Sequence, residues 1–482
     1  MMRAVAIGWI TAAAALAQVP ELPAGLGGQE PEKAGEPTLP SGLGGQEPGL
    51  PSGLGGGDEA GQHEQQADPA DEPEAGWAER WRFGGFFDVR AGARTQRDPY
   101  ERDASVGEAR LRLEAEGAFD SLIARLAGDL IADNLQRGWG PDLETGEGCF
   151  DLREANVAIS PWSTVDLKVG RQALTWGTGD LLFINDLFPK DWVSFLTGRD
   201  TEYLKAPSDA IRAGFFTDLA NLEIVYTPRF DPDRFVRGER LSYFNPILGR
   251  RAGRDAIQDP LVRDRWFEDD EVAMRLSRNV GGYELAAYGY WGRWKSPAGF
   301  DMTAGRGTFP RLAVYGASAR TQLAGGIANV EVGYYDSRQD ADGDDALIDN
   351  SQLRGLIGFE RDLPELAHGL TAGMQYYFEA MMGHDEYLST LPSGGTARDE
   401  VRHVVTARLS KLLLEQRLRL SLFAFYSPSD SDAYLRPSAS YAIDDSWTAA
   451  VGANVFVGRD QHTFFGQFEN DSNVFLSLRM SF

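Results

Sequence analysis

The chain has 482 residues, 42% of them hydrophobic and 25% charged, with 55 glycines and a formal net charge of −25. Its longest apolar run, Ala4 to Ala17, is 14 residues, short of the roughly 20 a membrane-crossing helix needs, which excludes a helical bundle in lipid. The single Cys149 excludes an intrachain disulfide and a thiolate metal site, and the acidic charge opposes phosphate, so no nucleic-acid partner is expected.

Residues 1–17 carry one positive charge (Arg3), an apolar stretch and Ala15-Leu16-Ala17 as a small-x-small cleavage site, the pattern of a signal peptide. Gln18 follows where a lipoprotein would need Cys. From 18 to 79 the composition turns to Gly, Pro and acid, with 13 Asp and Glu against one Lys, and such a segment cannot bury a core; a disordered linker is expected. Within it Pro-Ala/Ser-Gly-Leu-Gly-Gly recurs three times at irregular spacing, presenting Leu26, Leu43 and Leu54. Slippage in a low-complexity segment produces such copies without function, and the alternative is a multivalent ligand for a periplasmic protein.

From residue 80 to the end the pattern has period two. Trp81, Phe83, Phe87 and Val89 alternate with Arg82, Asp88 and Arg90; Ala109, Leu111, Leu113 and Ala115 alternate with Glu108, Arg110, Arg112, Glu114 and Glu116; Leu126 and Leu130 alternate with Arg125 and Asp129. Eighteen such segments are predicted, with 16 as the alternative because those around Leu312 and Leu353 alternate poorly. The links between them alternate short and mostly long, the mark of an all-β, closed antiparallel up-and-down transmembrane barrel. Its polar face then lines a lumen, with Arg90, Glu108, Arg110, Arg112, Glu114, Glu116, Arg125, Asp129 and Arg171 as pore-lining candidates.

The link from Ala173 to Ser208 carries ten large apolar residues between Leu181 and Leu196, which cannot stay in water without cost. It is expected to fold inward as a constriction, with Asp180, Phe183, Asp186, Phe188, Lys190 and Trp192 as its marked residues and Asp180, Asp186, Lys190 and Asp191 left toward solution. The link Pro228 to Asp270 has nine Arg and nine acids and should crosslink ionically. Asp340, Asp342 and Asp344 offer a weak calcium candidate that lacks the spacing of an EF-hand. The five histidines share no spacing, and neither a Ser-His nucleophile phrase nor a proteolytic constellation is present, so no enzyme is expected.

The terminal strand, Val474, Leu476, Leu478, Met480 and Phe482 against Asn473, Ser477, Arg479 and Ser481, resembles the last strand of Gram-negative outer-membrane barrels. That resemblance implies recognition of Phe482 by the barrel assembly machinery and contact with outer-membrane lipid and lipopolysaccharide. The run Val169-Gly170-Arg171-Gln172-Ala173-Leu174-Thr175-Trp176-Gly177 resembles the Gly-Arg-Gln-x-x-x-Trp-Gly phrase of alginate-export-like porins and a related family of outer-membrane channels. It implies an 18-strand barrel conducting a solute or polymer; the function expected is an outer-membrane channel for a small or oligomeric solute, and the even strand count puts both termini, and so the tail, on the periplasmic side. The alternative is an outer-membrane anchor whose tail recruits a partner.

Overall fold

The computed structural model describes residues 80–135, 138–143, 145–391 and 397–482. The expected signal peptide and linker, with Leu26, Leu43 and Leu54, lie outside the described residues. Eighteen strands form one sheet. In chain order they are β1 Trp81–Arg94, β2 Ala104–Phe119, β3 Leu122–Asp133, β4 Phe150–Trp162, β5 Val165–Ala173, β6 Pro207–Phe216, β7 Asn221–Thr227, β8 Glu271–Val280 and β9 Tyr283–Arg293. The second half comprises β10 Arg311–Leu323, β11 Gly326–Ser337, β12 Gln352–Asp362, β13 Leu370–Met381, β14 Val401–Leu413, β15 Leu418–Ser427, β16 Asp432–Ala442, β17 Trp447–Gly458 and β18 Asn473–Ser481.

Each strand pairs antiparallel with the next in sequence, and β18 returns to β1, with Phe86 opposite Ser481 and Arg94 opposite Asn473. The sheet therefore has no free edge, and its strands pair on both sides, as a structure crossing hydrocarbon requires. Eighteen is the expected count. The two segments that alternate poorly are nevertheless strands, β10 and β12, and their pattern is blurred because Leu312, Val314 and Leu356 turn apolar side chains inward as well.

Outward positions are apolar and exposed, among them Phe83, Leu113, Leu126, Ile357, Val451 and Leu476. The buried core is inside the barrel. One end carries links of two to seven residues by the strand bounds, together with the chain's last residue. The other end carries links of nine to 43 residues, apart from the tight 428–431 turn. Two of these long connections, 174–206 and 228–270, fill much of the interior. The first contains helix α1, Trp192–Thr197, and the second a small ribbon, Tyr243–Asn245 against Arg250–Ala252.

Candidate functional site

The inner wall has two chemistries. Over β1 to β4 it is ionic: Asp88, Arg90, Glu108, Arg110, Asp129 and Arg153 all face inward and are buried. Opposite, over β9 to β17, it is aromatic, with Tyr290, Tyr335, Tyr377, Phe425, Tyr434 and Phe456 buried. Tyr434 stacks on Phe456 at 4.4 Å and on Phe425 at 5.8 Å between ring centres. A charged residue in this half, Arg354, lies over the Tyr335 ring at 3.8 Å, where the ring quadrupole favours a cation.

The 174–206 loop leaves β5 and runs to the aromatic side. There the Glu331 carboxylate on β11 gathers four donors: Thr178 N–H at 2.9 Å, Thr178 Oγ1 at 3.1 Å, Asn185 N–H at 2.8 Å and Asn185 Nδ2 at 3.0 Å. On β13, Gln375 accepts from Asp180 N–H at 2.9 Å and donates to the Asp180 carbonyl at 2.6 Å, imitating a strand pairing with a side-chain amide. Between these ties Leu181, Leu182, Phe183 and Ile184 are buried in the core cluster. Burial pushes the Asp180 carboxyl up to about 7; Arg408, 3.4 Å away, opposes the rise and Glu360 adds to it.

The loop then turns back through the centre. Asp191 caps α1 by accepting from Ser194 N–H at 2.7 Å, and Trp192, fully buried, donates Nε1–H to Asp233 of the 228–270 loop at 3.0 Å. Gly198 ends the helix at φ 86°, and an added Cβ would come within 2.4 Å of the Phe475 ring, so both backbone and space require glycine.

From there the loop runs along the ionic wall. Arg199 donates to Glu108 at 2.6 and 3.0 Å, and Arg90 reaches Asp200 at 3.0 Å. Arg479 of β18 pairs with both Asp200 and Glu202. Burial works against the Asp200 charge, but Arg90 and Arg479 outweigh it and hold this carboxyl below its ordinary range. Tyr203 lies against Arg110, Arg112 and Arg153, with ring centre to guanidinium distances of 4.4, 5.2 and 5.3 Å.

The expected pore-lining residues divide by depth. Glu108, Arg110, Arg112 and Asp129 form one buried network, with Arg110 to Asp129 at 2.6 Å and Arg110 to Glu108 at 2.8 Å, and Arg90 sits beside it against the loop. Glu114, Glu116 and Arg125 lie nearer the short-turn end; Arg125 is half-buried between Glu114 at 3.8 Å and Glu154 at 3.2 Å, and Glu116 pairs with Arg82 at 2.5 Å.

Arg171 corrects the expectation. It aligns across the sheet with Ala155 and Asp209, two positions along from the exposed outward residues Val169, Val157 and Ile211, so it belongs to the outward face. There it donates to the Leu143 and Leu152 carbonyls at 2.6 Å each and pairs with Asp209 at 3.2 Å.

Phe183, Phe188 and Trp192 are buried within the barrel. The expectation that Asp186, Lys190 and Asp191 face solution is wrong. All three are buried, because each has a partner inside: Lys190 Nζ meets Asp186 at 2.8 Å, Thr175 donates to Asp186 at 2.7 Å, and Asp191 lies 3.4 Å from Arg234. Asp340 is also buried and spends Oδ1 on the N–H groups of Gly343, Asp344 and Asp345, while Asp342 and Asp344 are exposed. Among the described residues no group of three or more His, Cys, Asp and Glu side chains is gathered to hold a metal ion.

Glu331, Gln375, Arg199 and Asp233, which tie the loop in place, were not singled out from sequence. Parity places Glu331 and Gln375 inward, since Val330 and Val332 flank the first and Met374 and Tyr376 the second. What they hold lies 146 and 195 residues away.

No family model matches the chain, and no curated protein matches it. Among solved structures it is similar to Salmonella typhi OmpF in complex with daunomycin, at 9% identity over 83% of this chain and 97% of that one, TM-score 0.42. It is similar to Acinetobacter baumannii OccAB3 at 11% identity over 83% and 99%, TM-score 0.48. It is also similar to Pseudomonas aeruginosa OccD3 (OpdP), at 10% identity over 85% and 92%, TM-score 0.48.

Proposed function

We propose that the chain is an outer-membrane channel of a Gram-negative cell, passing a small or oligomeric polar solute through a lumen partitioned by the 174–206 loop. The short turns and the N-terminal segment then lie in the periplasm, and the exposed Phe482 is the mark read by the assembly machinery. The outward apolar band meets membrane lipid and lipopolysaccharide.

The observation that carries this reading is the layout on the short-turn side of the loop. There Arg125, Glu154, Arg212 and Arg275 project inward with between a fifth and three-tenths of each side chain exposed, so a polar vestibule leads up to the loops that fill the interior. A barrel serving only as an anchor has no need of a charged, water-accessible wall, whereas a solute path does. The resemblance of Val169 to Gly177 to the alginate-export-like phrase fits the same class without naming the solute.

The test is bilayer conductance of the refolded full chain. Discrete, small steps are expected, and excision of Asp180 to Leu196 should raise them several-fold and weaken ion selectivity. A barrel that is folded, by heat-modifiable gel mobility, yet silent both before and after excision would belong with the anchors.

A further inference from the structure

On the outer face of the barrel, toward the long-loop end, aromatic and charged residues are sorted into rows. Trp291 of β9, Tyr315 of β10 and Tyr334 of β11 point outward and are exposed. Trp291 meets Tyr315 edge to face at 5.9 Å between ring centres, and Tyr315 stands opposite Tyr334 in register. Aromatic residues at this height on a membrane barrel mark the level of the lipid headgroups.

Beyond them come three arginines side by side. Arg293 aligns with Arg311, and Arg338 N–H bonds the Arg311 carbonyl at 3.1 Å. Trp291 aligns with Ala313, so Arg311 stands two residues, about 7 Å along the strand, past that ring. Arg293 is buried and held by Asp269 at 2.8 Å, and Arg338 pairs with Asp336 at 2.8 Å. Arg311 is exposed, and its guanidinium pairs with no acid among the described residues.

A cavity of about 210 Å³ adjoins Arg311, between the 228–270 loop and the connections 294–310 and 338–351. Its described lining holds Arg263, Arg293 and Arg311 against one carboxylate, Asp301, whose Oδ1 is occupied by the N–H groups of Thr303 and Ala304 at 2.8 and 3.0 Å. Arg263 is exposed and, like Arg311, pairs with no acid among the described residues. The acids near it in sequence are engaged elsewhere: Asp264 lies 3.9 Å from Arg229, and Asp269 is shared by Arg265 and Arg293.

Two solvent-reachable guanidinium groups on one cavity, without acids of their own, attract an anion, and their planar forks match the paired oxygens of a phosphate. The place selects which phosphate. The row begins one step past the aromatic residues on the lipid-facing side, and Trp266 and Phe267, three and four residues beyond Arg263, are exposed as well. A phosphate carried on an acylated lipid is confined to this level by its chains, so its effective concentration there far exceeds that of a free anion.

We propose that Arg263 and Arg311 bind a phosphate of the outer-leaflet glycolipid, the lipid A part of lipopolysaccharide, directly and without a bridging cation. The proposal rests on the outer-membrane placement in the reading above and is independent of conduction.

The test is native mass spectrometry of the full chain in detergent, with and without EDTA, titrated with diphosphoryl lipid A and with its fully dephosphorylated form. One phosphorylated lipid per barrel should be retained at least tenfold more tightly than the dephosphorylated one, in EDTA as without it, and excess inorganic phosphate should not displace it. Arg263→Gln combined with Arg311→Gln should weaken retention at least tenfold with heat-modifiable mobility unchanged. Arg250→Gln, at a half-exposed arginine of the small ribbon, should leave retention as it is. Equal retention of the two lipids, or retention untouched in the double variant, overturns the proposal. So does displacement by inorganic phosphate, which would make this a site for soluble anions, or loss in EDTA, which would make a divalent cation the link. Lipid A held by a barrel that never conducts would sink the channel reading and leave the site standing; a conducting barrel indifferent to lipid A would do the reverse.

Discussion

The two halves of the inner wall hold the same loop by different means. Against β9 to β17 the loop offers Leu181, Leu182, Phe183 and Ile184 to a wall of aromatic rings, and its ties are hydrogen bonds from backbone groups to Glu331 and Gln375. Against β1 to β4 and β18 it offers Arg199, Asp200 and Glu202 to a wall of fixed charges. The loop is therefore amphiphilic along its length, and its order of residues dictates which side each stretch faces. Apolar contact is non-directional and sums over area, whereas buried ion pairs cost several kcal/mol of desolvation each and repay it only when geometry is met. The aromatic half supplies adhesion and the ionic half supplies position.

Four substitutions bear on that division. Trp192→Ala, which empties a fully buried site, should cost about 3–5 kcal/mol, read as the shift in the urea midpoint of heat-modifiable mobility. Arg199→Ala should cost about 3 kcal/mol by stripping the buried Glu108 Oε2 of its partner while Arg110 stays on Oε1, and adding Glu108→Gln should recover part of the loss, since the half-compensated carboxylate is its source. If the double variant is worse than the single, position is not what the ionic half provides. Tyr434→Phe removes the hydrogen bond to Asn454 at 2.7 Å but keeps the stack, so only about 1 kcal/mol should be lost.

A further effect is a pH dependence at Asp180. Its folded pKa is raised to about 7 against about 4 for a free carboxyl, so the folded state binds the extra proton. The stabilisation is full below about pH 4 and is lost as pH rises toward 7. Asp180→Asn should flatten that part of the stability curve, and parallel curves for the two proteins would remove Asp180 from the account.

The strands were legible because period-two alternation is a local property, visible in Glu108, Arg110 and Arg112 against Ala109, Leu111 and Leu113. The inward course of the 174–206 loop is legible from its apolar residues, which need a surface to pack on; the barrel wall offers one ready-made, where a small external cap would have to be built from the loop alone. Which side of the wall takes which stretch was not, because the partners of Thr178 and Asp180 lie 153 and 195 residues further along. Arg171 departs from the rule that a charged strand residue faces the lumen. At the long-loop end the Leu143 and Leu152 carbonyls cover the outward face and make a charged residue affordable there. Asp186 and Lys190 are not solvated either, because a lone charge in sequence can be half of a buried pair in space.

Asp200 carries a consequence for how the molecule comes together. Its carboxylate is shared between Arg90, 110 residues before it, and Arg479, 279 residues after it, on the first and last strands of the sheet. Those two strands become neighbours only when the cylinder shuts, the longest-range pairing in the chain and so the slowest to form by diffusion. Until then Asp200 has one arginine and the return limb of its loop is half-fastened. The internal partition is thus locked by the same event that seals the wall, and a barrel caught with its seam ajar would also have its interior unsecured.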